Sequence, residues 1–166
     1  MPLIVEPLDA ARHNRAAFVC GEQDLDDYIQ QQATQNVRQG IAAVHVYVES
    51  SDPLLLPIIG YYTLSATEVS IDRLAESDRK RLPRYPVPGM RLGKLAVASE
   101  HQGKGIGEML IGDAVNRCLA LTSEAGIKIL VVDALNERVV GFYEKYGFRR
   151  TADQARTLYL PLSHHR

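Results

Sequence analysis

The sequence predicts an α/β sandwich around one central, mostly antiparallel mixed sheet flanked by helices, and three observations carry that prediction. Ile41 to Glu49 alternates apolar and polar residues in a strand pattern. Arg91-Leu-Gly-Lys-Leu-Ala-Val97 runs as an apolar strand into the glycine-dense turn Ser99-Glu-His-Gln-Gly-Lys-Gly-Ile-Gly107, where a long helical pattern starts. Ile127 to Asp133 is an unbroken aliphatic run of the kind that forms a buried central strand. Strands come first, and a β-turn-helix-β-helix-β order follows, which builds two layers over one core.

In chain order, residues 22–38 place Leu25, Tyr28, Ile29, Ala33 and Val37 at helical spacing, with Glu22, Asp24, Asp26 and Asp27 near the positive end of the dipole. Gly21 fits a tight lead-in, and Gly40 fits a C′ position. In the Ile41–Glu49 strand, Ala42, Val44, Val46 and Val48 share one side and His45 and Tyr47 the other, which predicts half-burial. Ser50 to Pro53 reads as a turn, and Leu54 to Ile71 as a second β stretch interrupted by Pro57 and Gly60, antiparallel to the first. Asp72 to Leu82 reads as a short charged helix. Pro83 to Gly89 reads as a semi-rigid loop, because its prolines remove ladder donors. Ile106, Met109, Leu110, Ala114, Val115, Cys118 and Leu121 define an amphipathic helix that ends near Gly126. Glu137 to Tyr146 is a last helix, stopped by Gly147, and Thr157 to Leu162 a last strand.

With 166 residues, 46% of them hydrophobic, the chain has material for one good core, and a single domain over 1–166 is expected. No run of eighteen apolar residues is present, and the first residues lack a signal-peptide pattern. Cys20 and Cys118 have no metal-ligand spacing and are expected as reduced thiols of a cytoplasmic protein, with no metal. The net charge of −1 hides an asymmetry. Arg79, Lys80, Arg81, Arg84, Arg91 and Lys94 share a window without an acid, which suggests an anionic partner.

The strand-to-helix junction aims unpaired backbone N–H groups and a helix dipole at one spot, a ready seat for a pyrophosphate. The spacing is not G-x-G-x-x-G, and no phosphate-binding G-x-x-x-x-G-K-[ST] occurs. Gln102-Gly-Lys-Gly-Ile-Gly107, as Q-x-x-G-x-G, resembles the pyrophosphate loop of the GCN5-related (GNAT) acetyltransferases. Val131-Val-Asp-Ala-Leu-Asn136 and Gly141-Phe-Tyr-Glu-Lys-Tyr-Gly-Phe148 resemble the segment that closes the cofactor site in that family. The resemblance implies a GNAT fold and acetyl-CoA as donor. It assigns CoA binding to Leu95, Ala96 and Val97, to Gln102, Gly103, Lys104, Gly105, Ile106 and Gly107, and to Asn136 and Tyr143. Tyr143 is the implied general acid, since a phenol with a pKa near 10 keeps its proton at neutral pH. The Arg91–Val97 strand carries no carboxylate, so no general base is evident. His101 and Glu68 are weak alternatives, and an α-amine, with a pKa near 8, needs less help to lose its proton than a lysine.

Phe18-Val-Cys-Gly-Glu-Gln-Asp-Leu-Asp-Asp-Tyr28, Gly60-Tyr-Tyr-Thr-Leu-Ser65, Arg84-Tyr-Pro-Val-Pro88 and the Arg91–Val97 strand together resemble the TacT-type toxins of bacterial type II toxin–antitoxin modules. That likeness implies acetylation of the α-amine of aminoacyl-tRNA and arrest of translation. It also implies a homodimer, neutralised by a ribbon-helix-helix antitoxin that links it to operator DNA. The tail ends early, at His164-His165-Arg166. Under this reading Arg79, Lys80, Arg81, Arg84, Arg91 and Lys94 hold RNA phosphates. Two other readings are a GNAT enzyme acting on a protein N-terminus or a small amine, and a non-catalytic module that keeps the fold.

Overall fold

The structure is a computed structural model, and it describes residues 3–49, 55–153 and 156–162. The elements are β1 (Leu3–Pro7), β2 (His13–Asn14), α1 (Gln23–Asp27), a π-helical turn (Tyr28–Gln32), α2 (Ala33–Arg38), β3 (Ala43–Glu49), β4 (Leu56–Pro57), β5 (Gly60–Val69), α3 (Glu76–Arg79), β6 (Val87–Val97), α4 (Ile106–Leu121), β7 (Ile129–Asp133), α5 (Glu137–Lys145), β8 (Arg149–Arg150) and β9 (Thr157–Pro161). Seven strands form one sheet in the order β1-β3-β5-β6-β7-β9-β8, and β2 and β4 pair apart from it. The sheet is mixed: β6 and β7 run parallel, whereas β1–β3, β3–β5, β7–β9 and β8–β9 are antiparallel.

The chain divides into two compact units, residues 1–65 with 93–114 and residues 66–92 with 115–166. In the first, Phe18, Leu25, Ile29, Val44, Val46 and Tyr61 belong to one buried cluster. β3 is buried on both faces, not on one as its alternation predicts. The polar-looking side is covered too, where His45 stacks on Tyr62 with ring centroids 5.0 Å apart. The helix expected over 22–38 forms, widened by the π turn, and Gly21 and Gly40 take the positive φ values, 96° and 71°, expected of them.

In the second unit, Val69, Leu74, Val87, Ile129, Val131 and Tyr159 form the core. Burial of Leu74, 2% exposed, breaks the helix expected over Asp72–Leu82. A 3₁₀ turn at Ile71–Arg73 and the four-residue α3 replace it, with Leu74 extended between them. The loop expected through Gly89 is strand from Val87 onward. Pro88 costs no ladder bond there, because only its carbonyl is used, accepting from the Lys128 N–H at 2.8 Å. Gly89 is required: a Cβ there would lie 2.6 Å from the Ile129 carbonyl oxygen.

Strands β1, β2 and β8 carry no clear period and go unpredicted. The expected turn at Ser50–Pro53, Leu54 and the His164–Arg166 tail lie outside the described residues. Cys20 and Cys118 are free and buried. Burial pushes each thiol up to about 11, so neither carries much thiolate at neutral pH. Iodoacetamide at pH 8 is expected to label neither in the native protein and both after denaturation. Rapid native labelling would contradict their burial.

Candidate active site

The site is built on the C-terminal half of β6 and the turn after it. The β6–β7 ladder covers Gly89–Leu92 against Ile129–Val132, and β6 continues past it from Gly93 to Val97. The ladder therefore stops three residues before Leu95. In that extension the even-numbered backbone groups face β5. The Lys94 N–H donates to Thr63 Oγ1 at 3.0 Å, the Ala98 N–H donates to the Ile59 carbonyl at 2.8 Å, and a Cβ on Gly60 would lie 2.9 Å from the Ala96 carbonyl oxygen. Because backbone groups alternate sides along a strand, those of Leu95 and Val97 point the other way. One of them is already used. The Gln102 side-chain amide donates to the Val97 carbonyl at 2.9 Å and to the Cys20 carbonyl at 2.7 Å. What remains on that edge is the N–H and carbonyl of Leu95 and the N–H of Val97.

Gln102 thus braces the turn through its side-chain amide nitrogen. Behind it Gly103 and Gly105 both have φ of +80°, a conformation that side chains rarely adopt, and α4 opens at Ile106. Nothing lies within 4 Å of a Cβ built on either glycine. The result is an open, exposed corner in which loop amides and the first N–H groups of α4 have no intrahelical partner. Lys104 stands exposed between the two glycines. A diphosphate fits this donor set by charge and by space, so the residues present suit the 3′,5′-ADP-pantetheine class of ligand.

In the other unit, Asn136 is the N-cap of α5, and its Oδ1 accepts from the Val139 N–H at 3.1 Å. Its amide NH₂ is the part left to serve a ligand. Asn136→Asp preserves the cap and removes that donor, whereas Asn136→Ala removes both. The first is therefore expected to raise KM for acetyl-CoA with little change in melting temperature. The second is expected to cost about 1 kcal/mol of stability as well. An unchanged KM in the Asp variant would leave Asn136 a cap alone.

Tyr143, 5% exposed, lies on the inner face of α5 between Phe142 and Phe148, with ring centroids 5.5 and 5.4 Å away. Burial pushes its phenol well above the usual tyrosine range, and the Asp133 carboxylate adds to the shift. The hydroxyl therefore keeps its proton through the physiological range. Phe148 packs in the core, as its position beside Gly147 suggests.

The basic window divides. Arg91 is ion-paired with Asp133, which also accepts from Thr157 Oγ1 at 2.9 Å. Lys94 is held over the Tyr28 ring, 4.9 Å from its centroid, and Asn36 donates to the Tyr28 hydroxyl at 3.0 Å. Lys80, Arg81 and Arg84 are exposed, and Arg79 is half-buried. Tyr85, part of the Arg84–Pro88 motif and given no role of its own there, is 72% exposed beside Arg84. An aromatic within a basic run is the sequence signal for such a residue. Glu68 is exposed on β5 and no carboxylate sits on β6, so no base emerges. Among the described residues no cluster of three or more His, Cys, Asp or Glu could hold a metal, and no helix is long and apolar enough to cross a membrane.

A family profile described as the acetyltransferase (GNAT) domain matches residues 58–150, the span that carries β6, the glycine corner and α5. A tRNA-acetylating toxin of Mycobacterium tuberculosis (strain ATCC 25618 / H37Rv) is 31% identical over 132 residues, 80% of this chain and 76% of the relative. The chain belongs to the GNAT acetyltransferases. As a GNAT enzyme it is an N-acetyltransferase that uses acetyl-CoA. Two solved structures share the fold along nearly the whole length. AtaT complexed with acetyl-methionyl-tRNAfMet has a TM-score of 0.89 and 28% identity, covering 96% of this chain and 95% of that one. A tyrosine-to-phenylalanine mutant of the AtaT toxin, bound to the C-terminus of the antitoxin AtaR and acetyl-CoA, has a TM-score of 0.81 and 26% identity over 96% and 92% of the two chains.

Proposed function

We propose that this GNAT enzyme is a toxin that transfers the acetyl group of acetyl-CoA to the α-amine of aminoacyl-tRNA, so that the capped aminoacyl group no longer forms a peptide bond. Support comes from the free Leu95 and Val97 edge running into the Gly103–Gly105 corner, together with the acetyl-methionyl-tRNA seen with AtaT and the named activity of the mycobacterial relative.

In this account the corner amides of residues 103–107 bind the diphosphate, with Lys104 adding charge. The Leu95 carbonyl and Val97 N–H align the pantetheine amides, and the Leu95 N–H donates to the thioester oxygen, where charge develops. Ala96 shapes the strand beneath. The Asn136 amide holds the pantetheine, and Tyr143 Oη holds the proton offered to the leaving sulfur. Since a phenol raised above 10 is a weaker acid than a thiol at about 8.5, Tyr143 serves chiefly as a hydrogen-bond donor at that atom. No protein base is required: an α-amine of pKa near 8 is about one-tenth neutral at pH 7, the adjacent ester lowers that pKa further, and the proton leaves to water.

Lys80, Arg81 and Arg84 supply the free positive charge for tRNA phosphates, with Arg79 beside them. Arg91 and Lys94, already engaged with Asp133 and Tyr28, reach RNA only by giving up those partners. We further propose a cytoplasmic homodimer, held inactive by a ribbon-helix-helix antitoxin and brought by it to operator DNA. Induced expression followed by mass spectrometry of aminoacyl-tRNA termini tests the reading. An acetyl group on the amino nitrogen of the aminoacyl residue is expected. Growth arrest with unmodified termini would contradict it.

A further inference from the structure

Apart from the acetyl-transfer machinery, the unit of residues 66–92 and 115–166 contains a cavity of 390 Å³. That size falls within the roughly 300–1,000 Å³ of small-ligand clefts. Leu74 and Ile129, 2% and 1% exposed, line it together with half-buried Leu82, and the exposed Lys80, Arg81 and Lys128 also line it. The floor is aliphatic and the rim cationic.

Asp78 is the acid in the lining, and it is already committed. Both its oxygens accept from Arg149 Nη1 at 2.7 Å, and it accepts from the Tyr159 hydroxyl, whose oxygen in turn accepts from the Ala75 N–H at 2.8 Å. Arg149 thus balances Asp78. Among the described residues Lys80, Arg81 and Lys128 have no carboxylate partner, so the rim keeps its positive charge. An apolar floor and a cationic rim call for two different parts of one ligand. A nucleotide has both, a base face and a phosphate. Lys80 and Arg81 come from the basic window, while Lys128 lies far from it in sequence and joins it only through the fold.

We propose that this cavity takes one unstacked nucleotide of the acceptor RNA, with its phosphate at Lys80, Arg81 and Lys128 and its base on the Leu74–Ile129 floor. The assignment rests on the aminoacyl-tRNA reading above. It gives the enzyme a hold on the RNA body that an isolated aminoacyl end lacks.

The test compares the full-length protein on two acceptors, aminoacyl-tRNA and an aminoacylated CCA trinucleotide. Lys128→Glu is expected to lower kcat/KM for the tRNA about tenfold more than for the trinucleotide, and Lys128→Arg to restore the ratio. Lys128→Ala should flatten the slope of log K against log salt by about 0.7 to 0.9, the value of one phosphate. Leu82→Trp fills the floor and leaves every charge in place. It should produce the same selective loss, which a purely electrostatic surface would not show. Melting temperatures confirm that each variant folds. Equal effects on both acceptors, or an unaltered salt slope, would overturn the assignment. So would normal tRNA kinetics with weakened antitoxin binding, which would make the cleft a protein contact. Wild-type protein inert toward both acceptors would overturn the functional reading itself, and the cavity assignment with it.

Discussion

Tyr143→Phe is expected to lower kcat by about 10²- to 10³-fold, the usual worth of one hydrogen-bond donor aimed at developing charge. The substitution removes one oxygen from a ring packed against Phe142 and Phe148 and leaves the packing unaltered, so fold and acetyl-CoA affinity should survive. Calorimetric titration with acetyl-CoA beside steady-state acetyl transfer separates the two effects. The pH profile sharpens the case. Burial raises the Tyr143 phenol above its usual value near 10, so the protonated, donating form persists below pH 10 and is lost only above it. Activity should rise with pH as the acceptor amine deprotonates near 8, with no falling limb from this tyrosine before pH 10. A Phe variant with full kcat would remove Tyr143 from the chemistry, and a wild-type falling limb near pH 8 that the Phe variant lacks would contradict its raised phenol.

Gly105→Val should raise the Kd for acetyl-CoA at least about tenfold, equivalent to about 1.4 kcal/mol. Gly105 has φ of +80°, a genuine outlier for a β-branched residue. The left-handed conformation costs an ordinary L-residue about 1–2 kcal/mol. No clash opposes the side chain, since nothing lies within 4 Å of its Cβ. The loop therefore relieves the strain by turning its own backbone, which swings an N–H away from the diphosphate seat. Gly126 is the control: it is equally open and has no positive φ, so Gly126→Val should leave the Kd unchanged. Equal affinity in the Gly105 variant would mean that the corner does not hold the diphosphate.

The parts of this enzyme that could be read in the sequence are those set by local rules. The glycine corner was legible because Gly103 and Gly105 are demanded by backbone angle, and because a period of two gives way to 3.6 on either side of it. The central strand at 129–133 was legible from its unbroken aliphatic run. What escaped depends on partners distant in the chain. Arg91 looked like a free cation until the fold set Asp133 beside it. The Gln102 amide braces Val97 and Cys20, a contact that only the fold brings about. The helix expected over Asp72–Leu82 yields to the burial of Leu74, a tertiary gain that outweighs local helix propensity. β8, two exposed arginines in length, is a strand only because β9 pairs with it. Lys128 shows no pattern at all until it lines a cavity with Lys80 and Arg81.

Which amine receives the acetyl group separates a toxin acting on aminoacyl-tRNA from an enzyme acting on peptides. Purified protein with radiolabelled acetyl-CoA, offered aminoacyl-tRNA, deacylated tRNA and peptides with free N-termini in parallel, decides it. Label confined to aminoacyl-tRNA, released with the amino acid on mild alkaline hydrolysis of the ester, is the predicted result. Label on the peptides, with aminoacyl-tRNA untouched, would contradict it.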